Sequence, residues 1–547
     1  MLLPFLALPP APTLEQRWFY VGTNLLPKEN VEKTIALMER AAKAGYNGMV
    51  LADSKIEILD RVMDGYTANV KKVREAATRL KIELIPSVLG VGWADGLLSH
   101  NPNLIEAQPM KGVEYRFQGL EGRPVPTVHL VNGNLDEGNG DKLTGWGFQD
   151  GPGVSSFREP SPKGGMALRT QDFAKGNEGG NCRVMQTVEV KPWHQYRIGA
   201  WVKSQDLDGS HEVRMIALDP AGKSLLAQDI GLERTQDWHR VYVVFNSQAN
   251  TKVNVYWGIW GGHGGKLWWD GLSIEDAGLL NVVRRPGALL RVAGIGGPLI
   301  EGVDFEPIAD PLLGKRPWDG EYTFDQDPPV IRRRASGSIH DGDVVTVNAY
   351  HAVNTDQGKS AICISEPETR RIEEREMTDV ARVFQPDGWL LSLDEMRVAN
   401  WCGACAARKS TPGAMFAEEI RNQAAMARRA KSGARICVWS DMFDSSHNAV
   451  DSYYLSNGTW AGSWKGLPAE TLVLNWNFGG RAKSLPFFAN LGMKQVLAGF
   501  YDGNVDDIKT WLADSKSVKG VTGVMYTTWA NDYSKLEAFA QAAWGGK

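Results

Sequence analysis

Apolar and polar positions alternate along this chain in two distinct rhythms. The first opens with the apolar run Trp18-Phe19-Tyr20-Val21-Gly22, which predicts a strand. From Glu29 to Gly45, Val31, Ile35, Leu37, Met38 and Ala41 recur at helical spacing, and Gly45 closes the pattern as a C-cap would. Asn47 to Ala52 predicts a second strand, closed by Asp53. A helix follows near Thr67 to Leu80, with Val70, Val73, Ala76 and Ala77 on one side. Ile82 to Leu89, interrupted by Pro86, predicts a third strand. Strands alternating with helices at this pace point to a parallel sheet.

The second rhythm occupies the middle of the chain. Val125 to Asp276 is rich in Gly and Asn and carries short alternating strands, such as Cys182 to Val188, Tyr196 to Val202 and His239 to Phe245. That pattern predicts an antiparallel sandwich. A mixed connector rich in Pro, Gly and Arg follows over 277–340. Val344 to His351 then reads as a strand that either extends the third barrel strand or pairs with the insert. Beyond it the first rhythm resumes: a helix from Glu366 to Phe384, the strand Leu390 to Leu393, and a helix near Gly413 to Ala430. Further strands are Arg435 to Asp441, Thr471 to Trp476, Gln495 to Tyr501 and Val521 to Trp529. Helices over Leu485 to Leu491, Val505 to Asp514 and Tyr533 to Trp544 separate and close them. The expected architecture is an α/β fold, a (β/α)8 TIM barrel with a large antiparallel β-sandwich inserted after the third strand. Its barrel segments are 13–95 (strands 1–3) and 341–547 (strands 4–8), and the sandwich is 125–276.

Barrels of this kind keep their chemistry at the C-terminal strand ends. Those ends carry Asp53, His351, Asp394-Glu395, Trp439 with Asp441, Asn475-Trp476-Asn477, Tyr501-Asp502, and Tyr526 with Trp529. A single Trp there reads as core, but aromatics beside carboxylates or amides at several ends in phase describe a sugar pocket. The rings would pack on pyranose faces while carboxylates and amides bind hydroxyls. Asp444, His447, Tyr453, Tyr454, Trp460 and Trp464 follow the fifth strand in a long loop at the same mouth.

Composition narrows the picture. The chain has 20 Trp, 14 Tyr and 59 Gly, and its 60 basic and 64 acidic residues leave a net charge of -4, which gives no electrostatic case for nucleic acid. No apolar run reaches the length of a membrane span. Five cysteines (Cys182, Cys363, Cys402, Cys405 and Cys437) imply no disulfide framework. Trp401-Cys402-Gly403-Ala404-Cys405 resembles the thioredoxin active-site string without its local strand-helix setting. A zinc site lacks a second Cys or His pair at suitable spacing. The apolar, Pro-rich Met1 to Pro12 has no basic n-region and reads as the remnant of a trimmed export signal.

The order of the strand-end residues resembles family 20 glycoside hydrolases, the β-N-acetylhexosaminidases. Asp394-Glu395 stand where that family has its Asp-Glu pair after strand four. Trp439, Trp476, Tyr501 beside Asp502, and Trp529 match its elements after strands five to eight. The resemblance implies substrate-assisted catalysis, an exception to the two-carboxylate pattern. Glu395 would be general acid and then base, Asp394 would orient the 2-acetamido group, and Tyr501 would hydrogen-bond its carbonyl oxygen. Trp439, Trp476 and Trp529 would wall the sugar, with Asp53, His351, Asp441, Asn475, Asp502 and Tyr526 as further substrate contacts. The chain departs from the family in having Leu391-Ser392-Leu393 before the pair, no Arg at the end of the first strand, and Tyr501 directly adjacent to Asp502.

Asn132-Gly133-Asn134-Leu135-Asp136-Glu137-Gly138 and Trp268-Trp269-Asp270-Gly271-Leu272, which frame the insert, resemble the terminal motifs of jelly-roll carbohydrate-binding modules of families 4, 9, 16 and 22. That resemblance implies a structural calcium at Asp136, Glu137 and Asp270; no cofactor is expected for catalysis. Two alternatives stay open. One is a glycosidase for a sugar lacking the acetamido group, pairing Glu395 with Asp441 or Asp502; the other is a carbohydrate-binding protein without turnover. Each has an oligo- or polysaccharide or glycoconjugate as partner and an extracellular or periplasmic setting.

Overall fold

The computed structural model describes residues 14–209, 212–228, 230–355, 358 and 360–545. The N-terminal stretch read as a trimmed signal lies outside them. Two units emerge: Met1–His100 with Ala361–Met396 and Lys409–Lys547, and Asn101–Ser360 with Arg397–Arg408.

The first unit is a closed barrel of eight strands. They are β1 (Gln16–Thr23), β2 (Gly48–Asp53), β3 (Glu83–Val88), β4 (Gly388–Leu391), β5 (Arg435–Trp439), β6 (Leu472–Asn475), β7 (Lys494–Leu497) and β8 (Val521–Tyr526). Every neighbouring pair is parallel, and β8 closes on β1. The longer helices are α1 (Lys28–Lys43), α2 (Tyr66–Leu80), α3 (Pro367–Phe384), α4 (Pro412–Ala430), α5 (Arg481–Asn490), α6 (Asp507–Ser515) and α7 (Leu536–Trp544). Between β5 and β6 two short 3-10 turns, Asp441–Phe443 and Ser463–Gly466, stand where the repeat would place a helix.

Local chemistry accounts for these elements. The α1 stripe Val31, Thr34, Leu37, Met38 and Ala41 is buried at helical spacing. The Thr411 hydroxyl caps α4 by accepting from the Ala414 N–H, and Pro412 follows at the first helical position. Inside the barrel, large and small residues complement each other. A β-carbon on Gly48 would lie 2.3 Å from the Trp18 indole, so this glycine is the space that the tryptophan fills.

The second unit contains a β-sandwich. One sheet has five strands, Gln236–Asn246, Gln195–Gln205, Lys266–Asp276, Met166–Gln171 and Ser156–Pro160; the other has four, Glu212–Leu218, Lys252–Trp260, Cys182–Glu189 and Phe148–Gln149. Their inner faces share one apolar core that includes Tyr196, Phe245, Trp257 and Trp269.

The expected boundaries need correction on either side of this sandwich. Val344–Ala352 pairs antiparallel with Ala107–Gln118 in a six-stranded sheet of the second unit, so it is not a barrel strand. The stretch read as a connector supplies three more strands of that sheet, Arg291–Gly294, Gly297–Leu299 and Ile331–Arg332. The physical reason is visible in the side chains. Val345, Val347 and Ala349 are buried in strict alternation, as in a sheet with one covered face, whereas all four residues of β4 are buried.

Glu373, Glu376 and Glu419 of the first unit are buried, and Glu57 is partly so. Glu57 accepts from the Gly90 N–H at 3.0 Å, Glu376 from the Leu89 N–H at 3.0 Å, and Glu373 from Gln423 Nε2 at 2.9 Å. Glu419 pairs with Arg370 at 2.8 Å. Burial, reinforced by Asp95, pushes the Glu57 carboxyl up to about 7. Burial also holds Glu376 and Glu373 well above the carboxylate range, with Glu57 and Glu419 respectively adding to the rise and Arg375 and Arg370 opposing it. Such groups are protonated when folded but ionise in the unfolded chain. For Glu57 this contribution to stability is complete below the ordinary carboxylate pKa and is lost as pH rises through about 7, and for Glu373 and Glu376 the loss runs in the same direction. The unfolding free energy measured in urea should fall between about pH 5 and about pH 8, by on the order of 1–3 kcal/mol. Glu376→Gln should flatten that slope; an unchanged pH profile in the variant would contradict the assignment.

Candidate active site

Alternation along the barrel strands decides which strand-end side chains converge. Trp18, Leu390, Cys437, Leu474 and Met525 belong to the interior cluster, with Tyr20 and Trp476 packed against it. Residues two apart share a face. Tyr20 therefore follows Trp18, Trp439 follows Cys437, and Trp476 follows Leu474 toward the C-terminal end of the interior. Tyr20, Trp439 and Trp529 form a three-ring cluster with centroids 5.9, 5.3 and 5.8 Å apart. Trp439 is 5% exposed and Trp529 is 51% exposed, so the cluster is rooted in the core and opens outward.

The Asp394-Glu395 pair sits at the end of β4. Ser87 and Ser392, on β3 and just past β4, touch hydroxyl to hydroxyl at 2.5 Å. Glu395 then adopts φ +46°, left-handed backbone that costs roughly 1–2 kcal/mol in a non-glycine residue. Asp441 stabilises this turn. Its carboxylate accepts from the Glu395 N–H at 2.9 Å, from Asn448 Nδ2 at 2.9 Å and from Trp476 Nε1 at 3.4 Å. Asp441 is fully buried, and burial raises its pKa against these donors and the nearby His447. The His447 ring meets Trp476 edge-on at 4.6 Å. Tyr20 feels Asp394 directly: its phenol is raised by burial and then by the Asp394 charge. Asp394, Glu395, Tyr20, Trp439, Trp476, Trp529 and Asp441 thus form one group at the strand ends.

Most other expected contacts lie elsewhere, which corrects the sequence reading. Asn475 has the opposite parity to Leu474 and Trp476; its amide bonds Ser484 of α5 and Gln495 of β7, at 2.9 and 3.0 Å. Tyr526 follows inward-facing Met525, so its ring packs on Phe539 of α7 and its hydroxyl donates to the Asp532 carbonyl. Tyr501 joins the same layer, stacked 5.9 Å from Tyr526 and edge-on to Phe539 at 4.7 Å. Asp53 holds the Leu25 and Lys55 N–H groups, both at 2.8 Å. Asp502 binds the β8 loop, accepting from the N–H groups of Trp529 at 2.8 Å and Ala530 at 3.2 Å and from the Thr528 hydroxyl. Asp444 accepts from Ser446 and from Asn477 Nδ2 at 3.1 Å.

His351 belongs to the second unit. Its ring nitrogens lie 3.0 Å from Asn246 Nδ2 and 3.0 Å from the Ala352 carbonyl, and burial pushes its pKa down to about 4, so it is neutral. In the sandwich, Asp136 accepts from Met166 N–H and Asn134, Asp270 accepts from the Ser161 hydroxyl, and the Glu137 N–H donates to Asn132. Tyr20 was passed over as a site residue; its parity with Trp18 was the available signal. Asn448 gave no signal, because only the loop's path brings it to Asp441.

No family model matches the chain, and no curated protein matches it. Among solved structures, a rhamnosidase from Novosphingobium sp. PP1Y aligns over 92% of this chain and 50% of its own, at 9% identity and a TM-score of 0.26. A chitobiase from Flavobacterium johnsoniae aligns over 36% of this chain and 32% of its own, at 16% identity and a TM-score of 0.27. A carbohydrate-binding module in complex with beta-1,4-galactotriose aligns over 27% of this chain and 99% of its own, at 15% identity and a TM-score of 0.21. The chain thus spans half the length of that rhamnosidase and about a third of that chitobiase.

Gly92 tests how tightly the pair is seated. A β-carbon there would lie 2.1 Å from the Asp394 carbonyl oxygen and 3.0 Å from the Glu395 carbonyl carbon. Gly92→Ala should therefore cost about 1–3 kcal/mol of unfolding free energy in urea. A variant as stable as the wild type would show that the turn has room to spare.

Proposed function

We propose that this chain is a glycoside hydrolase whose active site is the Asp394-Glu395 turn beside the Tyr20–Trp439–Trp529 cluster. The observation that carries the reading is the Asp394-Glu395 turn at the C-terminal end of a barrel strand, with the Asp394 charge acting on Tyr20 of a half-open aromatic wall. Carboxylates supply proton transfer and charge stabilisation at an anomeric centre, and aromatic faces bind the apolar faces of sugars.

In the substrate-assisted form implied by the family 20 resemblance, Glu395 donates its proton to the glycosidic oxygen as the bond to the anomeric carbon breaks. The 2-acetamido carbonyl oxygen attacks that carbon, giving a cyclic cation whose nitrogen-borne charge Asp394 stabilises. Glu395 then takes a proton from water as the hydroxyl opens the ring, so the acid is regenerated and one water is consumed. Tyr20, coupled electrostatically to Asp394, takes the hydroxyl role first assigned to Tyr501. The site favours this form over a direct two-carboxylate mechanism through the duties of the other acids. Asp441 holds the Glu395 backbone and Asp502 holds the Trp529 loop, so neither is spare to act as nucleophile. The sandwich is proposed to bind the same glycan, and the protein to work outside the cytoplasm, where polymeric glycans occur.

Release of p-nitrophenol from a panel of β-glycosides provides the test. Hydrolysis should be confined to N-acetylhexosaminides and fall by about two to four orders of magnitude in Glu395→Gln. Turnover of plain glucosides or galactosides alone would replace the acetamido mechanism, and full activity in Glu395→Gln would overturn the site.

A further inference from the structure

Glu106 immediately precedes the long strand Ala107–Gln118, while Cys402 and Cys405 flank the start of the short helix Gly403–Ala407 in the same unit. The cysteine pair lacks a partner pair along the sequence, and the fold brings Glu106 to it instead. The Trp401 and Cys402 N–H groups donate to Glu106 Oε1 at 2.9 and 3.1 Å. Cys405 Sγ lies 3.6 Å from Glu106 Oε2. Ligating atoms of Glu106, Cys402 and Cys405 all fall within 4.8 Å of one another, and all three side chains are buried.

We propose that Glu106, Cys402 and Cys405 bind a thiophilic divalent cation, with zinc the best match. Bonds of about 2.3 Å to sulfur and about 2.0–2.2 Å to oxygen put neighbouring donors of a tetrahedral ion roughly 3.5–3.8 Å apart. The present spacing reaches that range with shifts on the order of an ångström. The two backbone donors fix Oε1 and so aim the carboxylate, leaving Oε2 toward the Cys405 sulfur. Charge also closes. Two thiolates and a carboxylate balance one divalent cation and the Arg285 guanidinium, which acts on Glu106 and is anchored on the Asn103 and Ile105 carbonyls. Binding releases the thiol protons to solvent. Thiol–disulfide exchange fits the group less well, because it needs an accessible sulfur, and Cys402 and Cys405 are 0% and 2% exposed.

The test is metal uptake by the full chain, stripped with a chelator under reducing conditions and titrated with zinc or cobalt(II). We expect one tightly held ion per chain and a cobalt spectrum with near-ultraviolet thiolate-to-metal absorption. Glu106→Gln should weaken zinc binding by about tenfold or more while keeping the thiolate absorption. Cys402→Ser and Cys405→Ser should each reduce that absorption, with circular dichroism confirming that the variants fold. The wild-type spectrum alone decides the matter should a variant fail to fold. Lack of uptake at equimolar zinc, cobalt bound without thiolate absorption, or a Cys402–Cys405 disulfide on unreduced protein would each overturn the proposal.

Discussion

A parallel barrel strand turns alternate side chains inward, and at the strand's last residue that alternation separates site from scaffold. In this barrel the inward series from Trp18, Cys437 and Leu474 runs on into Tyr20, Trp439 and Trp476. The packed interior and the aromatic wall are one continuous structure, so the rings are positioned by the core beneath them. The outward series does the opposite work. Asn475 and Tyr526 tie the strands to their neighbours and to the helices that cover them.

The carboxylates follow a similar division. Asp394 and Glu395 stand at a turn that left-handed backbone makes costly, and the buried Asp441 holds it by accepting the Glu395 N–H. Asp441, Asp502, Asp53 and Asp444 each spend their oxygens on backbone or amide donors. A strand-end acid is therefore more often a fastener than a reagent here. Asp394, after β4, acts on Tyr20, whose phenol is raised first by burial and then by the Asp394 charge.

Much of this was legible in the sequence. The barrel strands could be found because near-continuous apolar runs recur between amphipathic helices, and the sandwich because short alternating strands replace them. The structure brings Asp441 to the Glu395 backbone and to Trp476, and Trp439 to Trp529, at the strand ends where the sequence put them. Tyr501, Tyr526, Asn475 and Asp53 were misassigned because position at a strand end was weighed without parity. His351 was misplaced for a different reason: Val344–Ala352 alternates like a one-sided antiparallel strand, and its partner lies far upstream at Ala107–Gln118. The approach of Glu106 to Cys402 and Cys405 was invisible, since no local pattern announces a contact between segments nearly 300 residues apart.

The barrel's division into separate segments has a consequence for its synthesis. β3 ends at Val88, and its partner β4 begins only at Gly388, after most of the second unit has been translated. Until then the edge of β3 has its backbone groups unpaired, the condition that invites association with other chains. A second unit that folds on emergence shortens the effective gap across which β3 and β4 must meet, since loop-closure entropy rises with the length of flexible chain. The insertion point thus makes ribosomal order part of the barrel's assembly, with its first three strands waiting on a domain that belongs to neither half of the wall.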